Sequence, residues 1–347
     1  MEVQTCNSIL ELVGNTPLIQ LNNIVKDIPA KVYAKVEGMN PGLSAKDRIA
    51  LYMIEKAEKE GRLQPGGTII EATSGNTGFG IAMVSAVKGY NCILCTKKKT
   101  SKEKIQSLEA FGAEVVICPS VGADDPRSYY NTAKRLHRET PNSIYLNQNF
   151  DIANCEAHYY TTGPEIWQQT GGKITHFVAC VGTGGTISGT AKYLKDQNAQ
   201  VEVVGVDAYG SVLAKYHETG MFDEKEIRPY LVEGLGKTII PGNVKFEYID
   251  RFVKVNDKDS ALAAKALAKK EGLFVGFSSG SALTALESLK DELTEEDVVV
   301  VLFSDHGSKY LGKIYNEEWM QENIHNTKKE EGKMVRQYPK QPNRKIA

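Results

Sequence analysis

Three segments of the chain carry residues that can do chemistry. Lys46 stands in the run 40–48, which reads Asn-Pro-Gly-Leu-Ser-Ala-Lys-Asp-Arg. Two glycine-rich segments follow, at residues 73–78 (Thr-Ser-Gly-Asn-Thr-Gly) and 182–186 (Gly-Thr-Gly-Gly-Thr). A lysine amine attacks carbonyl groups, and small-residue loops before helices bind anions through their backbone N–H groups. This combination is what a carbonyl compound that carries a phosphate requires.

Lys46 is predicted to lie in the first turn of a helix. Ser44 can cap this helix, and Gly61 can end it. Between them, apolar residues recur at helical spacing at Ile49, Met53 and Ala57. The lysine then shares the apolar face, where burial lowers the pKa of an amine and frees it to react at neutral pH. The alternative is a solvated surface lysine. The preceding proline and glycine and the two downstream loops argue against this alternative.

The first glycine-rich segment, residues 73–77, is predicted to join a strand to the N-terminus of a helix. Backbone N–H groups and hydroxyls there converge on one anion, helped by the helix dipole, and the carboxylate of an amino-acid substrate suits them. Asn76 adds an amide that can hydrogen-bond a phenolic oxygen. A tight turn with left-handed asparagine and glycine is an equal alternative for the loop taken alone.

The second segment, residues 182–186, is predicted to follow a strand and precede a helix in the same way. Its three glycines and two threonines offer N–H and O–H donors without bulk, which suits a phosphate monoester. It also fits part of the dinucleotide-binding fingerprint, and Asp207 stands where that fingerprint places an acidic residue. A nicotinamide enzyme is therefore an alternative, but it leaves Lys46 and the first loop unexplained.

A third loop, residues 276–281, opens another predicted helix. Its serines are interpreted as N-caps when the loop is taken alone. His306 follows a predicted buried strand and is expected to be structural or to lie at a rim rather than to act in catalysis.

Composition excludes several other classes of function. The 347 residues include 42 Lys and Arg against 43 Asp and Glu, so the net charge of −1 does not favour nucleic acid or an anionic membrane. There is no apolar run of membrane-spanning length and no signal-peptide pattern. The six cysteines are too few for a disulfide scaffold, and Cys92 and Cys95 are predicted to be buried thiols in a strand rather than a redox or zinc site. We therefore expect no metal and a cytoplasmic location.

Alternating strands and helices predict an α/β fold around largely parallel sheets. Predicted strands are 68–71, 91–95, 114–118, 176–180, 201–206 and 298–303, and predicted helices are 77–88, 102–111, 187–195, 260–270 and 281–290. The length predicts about two domains. The last residues, from 327 onward, are rich in Lys and Arg and poor in large apolar residues. They are predicted to form a mobile end, with an arm that contacts another subunit or a polyanion as alternatives.

Taken together, the segments 40–48, 73–78, 182–186 and 276–280 resemble those of the pyridoxal-phosphate enzymes of fold type II. Within these enzymes, the chain is similar to the cysteine synthase and cystathionine β-synthase family over about residues 8 to 322. Residues 207–211, 232–236 and 315–320 favour the cystathionine β-synthase side. The resemblance implies a two-domain, three-layer αβα fold like that of the tryptophan synthase β-subunit, with the cofactor pyridoxal 5'-phosphate in the cleft. It implies a larger cofactor-binding domain (1–40 plus 146–325), a smaller domain that closes on the substrate (41–145) and a basic tail (326–347).

The resemblance also implies a role for each matching residue. Lys46 is expected to form the Schiff base, Asn76 to contact the cofactor's ring hydroxyl, and Ser278 to face its pyridine nitrogen. The phosphate is expected on Gly182, Thr183, Gly184, Gly185 and Thr186. The substrate is expected on Thr73, Ser74, Gly75, Thr77, Gln148, Tyr209 and Gly210.

The implied reaction is replacement of the β-substituent of L-serine, or of an activated serine, by a thiol through an aminoacrylate. The first expectation is cystathionine β-synthase, which joins L-serine and L-homocysteine. Cysteine synthase, using O-acetylserine or O-phosphoserine with sulfide, and a cysteine lyase that releases hydrogen sulfide are the alternatives. A homodimer is expected by resemblance. Asn149 stands where many cystathionine synthases have tyrosine, and Tyr209 where they have glutamate, so the substrate itself stays open. The haem-binding N-terminal extension and the regulatory C-terminal module of animal cystathionine synthases are not expected here.

Overall fold

Apolar strands alternate with helices that end at glycine, and this alternation produces two largely parallel β-sheets. The computed structural model describes residues 5–122, 124–325 and 336–337. The strands are β1 (Leu18–Gln20), β2 (Lys31–Val36), β3 (Thr68–Ala72), β4 (Asn91–Lys97), β5 (Glu114–Cys118), β6 (Ser143–Tyr145), β7 (His176–Cys180), β8 (Glu202–Ala208), β9 (Arg251–Val255), β10 (Val298–Phe303) and β11 (Arg336–Gln337). The predicted α/β class with mostly parallel sheets is confirmed.

The strands divide into a smaller and a larger sheet. The smaller sheet has the order β5-β4-β3-β6, and all of its pairings are parallel. The larger sheet has the order β1-β2-β10-β7-β8-β9-β11, with antiparallel pairings only at its two edges. In parallel sheets the carboxyl ends of the strands share one edge, where loops gather and ligands bind. The loops after β3, β7 and β10 therefore lie where a site is expected.

Helices cover both faces of the sheets. They are α1 (Lys46–Lys59), α2 (Asn76–Lys88), α3 (Lys102–Ala110), α4 (Tyr129–Glu139), α5 (Ala153–Tyr160), α6 (Thr162–Gln169), α7 (Gly185–Gln197), α8 (Leu213–Thr219), α9 (Asp257–Glu271), α10 (Phe277–Glu287) and α11 (Glu317–Met320). Alternate residues of β10 point to opposite faces: Val299 and Val301 pack towards α9 and α10, and Val300 packs towards α7 and α8. Burial on both faces explains why this strand is a continuous apolar run.

The smaller sheet packs against α1, and α1 also packs against α5. Ile49 and Met53 of α1 share one apolar cluster with Ile69 of β3 and with Ala153 and Ala157 of α5. Every strand of the smaller sheet lies within residues 41–145, as the predicted smaller domain requires. Helix α5 lies entirely beyond residue 145 but packs in the same apolar cluster. The exact domain boundary therefore stays a prediction.

Two local predictions were wrong. The helix predicted over 281–290 begins at Phe277, and Gly276 occupies the N-cap position without a side-chain cap. The serines of this loop are therefore inside the helix and are not its caps. Gly276 is required here because a Cβ atom would lie 1.9 Å from Asp305 Oδ1. At α1, the N-cap position is Ala45, and Ser44 instead accepts a hydrogen bond from the Lys46 N–H group at 3.2 Å.

Several sequence predictions concern the cysteines, the membrane and the basic tail. Cys92 and Cys95 are buried and form no disulfide, and burial raises the pKa of each to about 12. Among the described helices, none combines the length and the apolar character needed to cross a bilayer. The predicted mobile tail lies outside the described residues, except for β11, which pairs with the edge strand β9.

A buried ionic network attaches α1 to the rest of the chain. The Arg48 guanidinium donates two hydrogen bonds to the Glu37 carboxylate, at 2.7 and 2.8 Å, and two more to Glu165 of α6, at 2.6 and 2.7 Å. Lys35 of β2 donates to Glu165 at 2.6 Å, and Thr16 donates to Glu37 at 2.6 Å. Burial alone would raise the pKa of Glu37, but Arg48, with smaller contributions from Lys35 and Thr16, lowers it to about 2. The network fixes the helix that carries Lys46.

Arg48→Met is expected to lower the free energy of unfolding by about 3–5 kcal/mol, because it leaves the Glu37 carboxylate buried without its hydrogen-bonded cation. Urea denaturation followed by circular dichroism measures this change. The control is Arg62→Met, which removes an exposed ion pair with Glu60 and is expected to change the free energy by at most about 0.5 kcal/mol. Similar small losses in both variants would contradict the structural role of Arg48.

Candidate active site

One cavity opens at the carboxyl ends of the two sheets. Of the site residues predicted from sequence, it is lined by Lys46, Thr73, Ser74, Gly75, Asn76, Thr77, Gln148, Gly182, Thr183, Gly184, Thr186 and Ser278. Residues that are far apart in the chain thus meet on one surface. Gly185 lies directly behind this wall, as the first residue of α7.

Lys46 reaches this cavity from the first turn of α1. The apolar face below it is buried through Ile49, Met53 and Ala57. Burial lowers the pKa of the Lys46 amine, and the nearby carboxylate of Asp305 offsets part of that effect. No side chain in the described ranges hydrogen-bonds its Nζ atom. A neutral amine is a nucleophile and a base, so both roles are open to Lys46 at neutral pH.

The loop between β7 and α7 forms an anion cradle. Gly184 has φ +94°, and a Cβ atom there would lie 2.5 Å from the Val244 nitrogen. A Cβ atom on Gly182 would lie 2.6 Å from the Gly234 carbonyl oxygen. Only glycine therefore allows the loop to fold this closely. The turn leaves the N–H groups at the start of a 13-residue helix directed at the cavity, where they suit a phosphate.

Two side chains behind the cradle hold its threonines in place. Asn154 of α5 donates through Nδ2 to Thr183 Oγ1 at 3.0 Å. His158, also of α5, pairs through Nε2 with Thr186 Oγ1 at 3.1 Å. Burial and then the nearby Lys46 lower the pKa of His158 well below its usual value, so the imidazole is neutral at pH 7. Sequence reasoning missed both residues, since neither belongs to a recognisable motif.

The loop between β3 and α2 lies opposite the cradle. Thr73 is buried, and its Oγ1 accepts a hydrogen bond from the Gly75 N–H group at 3.3 Å. Thr77 donates to Gln148 Oε1 at 2.6 Å, and the Gln148 N–H group donates to Glu71 Oε2 at 3.2 Å. The loop and the segment around Gln148 are therefore joined as one wall, as the shared role predicted for them requires.

Asn76 is fixed by two charged side chains. Its Nδ2 donates to Asp305 Oδ2 at 2.7 Å, and its Oδ1 accepts from Lys309 Nζ at 2.8 Å. Asp305 also accepts a hydrogen bond from the Tyr310 hydroxyl at 2.8 Å. Burial lowers the pKa of Lys309 to about 8 and raises the pKa of Asp305. The amide is thereby held against the cavity wall in one orientation.

Ser278 occupies the first turn of α10 and is 2% exposed. Its carbonyl oxygen accepts a hydrogen bond from Cys180 Sγ at 3.1 Å, which ties the helix to the end of β7. The Ser278 side chain lines the cavity near Gly234. A hydroxyl at this position can donate to or accept from a ring nitrogen.

Tyr209 and Gly210 do not line the cavity. The Tyr209 N–H group donates to the Val255 carbonyl at 3.1 Å, and Gly210 (φ +103°) packs against the carbonyl of Arg228. Their role in substrate binding stays a prediction. His306, also outside the lining, pairs with Ser308 at 2.8 Å and lies edge-on to Phe274, as expected of a structural histidine.

Asp207, the acidic residue of the alternative dinucleotide interpretation, is fully buried. Its Oδ2 accepts a hydrogen bond from the Ala214 N–H group at 3.0 Å. Asp207 is also not among the residues that line the cavity, which argues against the nicotinamide alternative.

Sequence reasoning also missed charged residues on the cavity wall. Glu233 accepts a hydrogen bond from Lys104 at 2.5 Å and pairs with Lys313. Lys237 also lines the cavity. Glu233 belongs to the segment 232–236, which served only to indicate the family. Nothing in the sequence of α3 distinguishes Lys104 from a surface lysine.

The donor set of this cavity fits pyridoxal 5'-phosphate. Lys46 offers an amine of lowered pKa to an aldehyde, and the glycine cradle, which Cβ atoms would fill, offers N–H donors to a phosphate. Asn76 and Ser278 offer polar groups to the ring substituents. Among the described residues, no cluster of His, Cys, Asp and Glu is arranged to hold a metal ion.

Comparison with known proteins agrees with this geometry. Residues 9–305 match the family described as pyridoxal-phosphate dependent enzyme. Cystathionine beta-synthase of Saccharomyces cerevisiae is 43% identical over 329 residues, which cover 91% of this chain and 64% of the yeast protein. The chain thus spans less than two thirds of that relative's length. Cysteine synthase of Staphylococcus aureus is 40% identical and is covered over 97% of its length, with 90% of this chain aligned.

Two solved structures are similar over nearly their whole length. A hydrogen sulfide-producing enzyme from Fusobacterium nucleatum has a TM-score of 0.81 and 35% identity, with 89% of this chain and 99% of that chain covered. An O-ureido-L-serine synthase has a TM-score of 0.83 and 30% identity, with 90% and 96% covered. From its sequence, its fold and the donors around Lys46, this chain belongs to the pyridoxal-phosphate dependent enzymes of fold type II.

Proposed function

We propose that this protein replaces the β-substituent of L-serine, or of an activated serine, with a thiol. The first candidate is the cystathionine β-synthase reaction, in which L-serine and L-homocysteine form L-cystathionine. The observation that carries the proposal is the Lys46 amine, which shares one cavity with separate anion-binding loops for a phosphate and for a carboxylate. Identity of 43% to a cystathionine β-synthase supports the choice of reaction.

Lys46 supplies the proton transfer that this reaction needs. Pyridoxal phosphate, when bound, draws electrons from the α-carbon of an amino acid joined to it, which makes the α-proton acidic. The Lys46 Nζ atom then takes the α-proton and returns one later. A lowered pKa favours this exchange at neutral pH, because the amine must be unprotonated to act as a base.

The remaining residues orient the reactants. The N–H groups and hydroxyls of residues 73–77 bind the α-carboxylate at the N-terminus of α2, and Gln148, joined to Thr77, completes this wall. Ser278 would offer a neutral hydroxyl to the ring nitrogen of the cofactor, and the ring would then gain less positive charge than beside a carboxylate. We propose that this favours prompt loss of the β-leaving group. Movement of the smaller domain (41–145) onto the larger one (1–40 plus 146–325) would exclude water at that stage.

A second candidate is cysteine synthase, using O-acetylserine or O-phosphoserine with sulfide. One observation supports it: the Staphylococcus cysteine synthase is 40% identical to this chain, with 90% of this chain aligned. Release of hydrogen sulfide from cysteine uses the same residues and is a third outcome. A relative that binds the cofactor without catalysis is disfavoured, because the amine and the loops are all present.

We also propose a cytoplasmic homodimer. Cys6 and the five buried cysteines are all free thiols, as is common in reducing compartments. Phe150 and Ile152 lie just before α5, and Tyr160 is its last residue. Each is about half exposed, and together they offer an apolar surface to a second copy. Sedimentation analysis of the purified protein tests this assembly.

A steady-state matrix tests the reaction. L-serine, O-acetyl-L-serine, O-phospho-L-serine and L-cysteine are each combined with L-homocysteine and with sulfide, and products are identified by mass spectrometry. Cystathionine from serine and homocysteine as the fastest reaction supports the first candidate. Cysteine from an activated serine and sulfide as the fastest supports the second. Absence of product in every combination would refute β-replacement.

Lys46→Ala is expected to reduce kcat by about 10²–10⁴-fold or more, because both the amine that binds the cofactor and the base are lost. Absorbance spectra and borohydride reduction followed by peptide mapping should show that the cofactor is no longer attached. Lys59→Ala, at the exposed end of the same helix, is the matched control and should keep kcat and the spectrum. Full activity in Lys46→Ala, or labelling of another lysine, would contradict the assignment.

Thr73→Ala and Gln148→Ala are expected to raise KM for the amino-acid substrate by about 10–100-fold, because each removes a contact to a charged carboxylate or its support. Spectroscopic titration of the holoenzyme with L-serine gives the binding change separately from turnover. Thr140→Ala, at the end of α4 and away from the cavity, is the control. If KM is unchanged in both variants, the carboxylate is bound elsewhere.

A further inference from the structure

Lys237 lines the cavity, but the proposed reaction gives its ammonium group no role. Its Nζ atom donates to Asn149 Oδ1 at 3.1 Å, and both residues line the cavity. Within the described part of the chain, it forms no ion pair with a carboxylate. Lys104, on the same wall, is by contrast paired with Glu233. Lys237 is half-buried, and its ammonium group has three donors, so two of them have no protein partner among the described residues.

The backbone around Lys237 fixes the direction of its side chain. The Lys237 N–H group donates to Ser211 Oγ at 2.9 Å, and its carbonyl accepts from the Val212 N–H group at 3.0 Å. The preceding Gly236, with φ +74°, donates to the Val181 carbonyl at 2.8 Å. Because these hydrogen bonds hold the backbone at residues 236 and 237, the Lys237 side chain lies on the cavity wall and does not extend freely into solvent.

The charged groups that surround Lys237 leave this part of the cavity positive. Burial, followed by the charges of Lys97 and Lys46, lowers the pKa of Lys237 to about 8. Glu71 is the nearby carboxyl group, and burial raises its pKa to about 8, so it carries little charge at pH 7. Lys97 lies 4.9 Å from the ring of Tyr129, which lines the cavity. A bound anion would neutralise this excess of positive charge.

The other two anion sites of the cavity already have ligands under the proposed function. The cradle at residues 182–186 takes the cofactor phosphate, and the loop at residues 73–77 takes the α-carboxylate of the first amino acid. Lys237 belongs to neither loop. A third anionic group must therefore come from the remaining parts of the substrates, which are the leaving group and the attacking thiol compound.

We propose that Lys237 is a specificity-determining residue that receives a second anionic group of the reactants. That group is either the phosphate of an activated serine or the carboxylate of an amino-acid thiol. Asn149 positions the ammonium group by accepting its hydrogen bond. The inference rests on the proposed function and narrows it, since the site then prefers reactants that carry a further phosphate or carboxylate over reactants that lack one, such as O-acetylserine.

The test compares wild-type holoenzyme with Lys237→Met and Lys237→Arg, and uses Lys98→Met, an exposed lysine beyond β4, as the control. The measured quantity is the ratio of kcat/KM for a reactant that carries the additional phosphate or carboxylate to that for a counterpart that lacks it. If the leaving group is the anion, Lys237→Met lowers the ratio of O-phosphoserine to O-acetylserine by about 10–100-fold. If the thiol carries it, the ratio of homocysteine to 2-mercaptoethanol, a thiol without a carboxylate, falls by that factor. Lys237→Arg should restore most of the ratio in either case.

A binding measurement separates this inference from the proposed reaction. Inorganic phosphate and succinate are titrated into the holoenzyme by calorimetry, since the cofactor then fills the cradle at residues 182–186. Binding that weakens about 10-fold or more in Lys237→Met, but not in Lys98→Met, supports the anion site even if no β-replacement is detected. Unchanged ratios together with unchanged binding overturn it. A loss of kcat for all substrates, with a changed pH profile near 8 and no rescue by arginine, indicates a proton-transfer role and also overturns it.

Discussion

The site depends on the position of α1, and a buried ionic network sets that position. Arg48 is two residues beyond Lys46 and is bonded to Glu37, at the end of β2, and to Glu165 of α6. The same helix turns its apolar face into the core of the smaller sheet. Helix α1, which carries Lys46, is thus held by residues that follow β2 and lie in α6, and also by the core of the smaller sheet. A buried charge network tolerates little displacement, because moving one member leaves another uncompensated.

From this fixed point, the two sheets contribute different parts of the site. The larger sheet supplies the glycine cradle after β7, the Ser278 helix and Asp305 after β10. The smaller sheet supplies the loop after β3 and, through residue 148, the segment after β6. The glycine cradle and Ser278 therefore come from the larger-sheet part of the chain, whereas Lys46, Asn76 and the loop at residues 73–77 come from the smaller-sheet part. Relative movement of the two parts would change the distance between these groups.

Electrostatics distinguishes the parts of the cleft. Asp305 and Lys309 fix the amide of Asn76 between opposite charges, and Glu233 is matched by Lys104 and Lys313. These groups are neutralised within the protein. The end of the cavity near Lys237 is different, since Lys237 has no carboxylate partner among the described residues and burial raises the pKa of the Glu71 carboxyl group to about 8. The family likeness accounts for the chemistry at Lys46, whereas this local imbalance of charge bears on which reactants the site selects.

Local sequence features were enough to predict the α/β fold class, which the structure confirms, and to single out Lys46 and the two glycine-rich loops, which line one cavity. These features are local: periodicity, helix-ending glycines and small-residue loops act within about ten residues, so they can be read along the chain. Only the tertiary structure decided that Asn154 and His158 support the cradle, that the serines near 278 lie inside a helix, and that Tyr209 lies off the cavity. It also decided that Lys237 has no carboxylate partner within the described part of the chain. Each of these depends on contacts between residues far apart in the chain, where burial and neighbouring charge, rather than residue type, set the behaviour of a side chain.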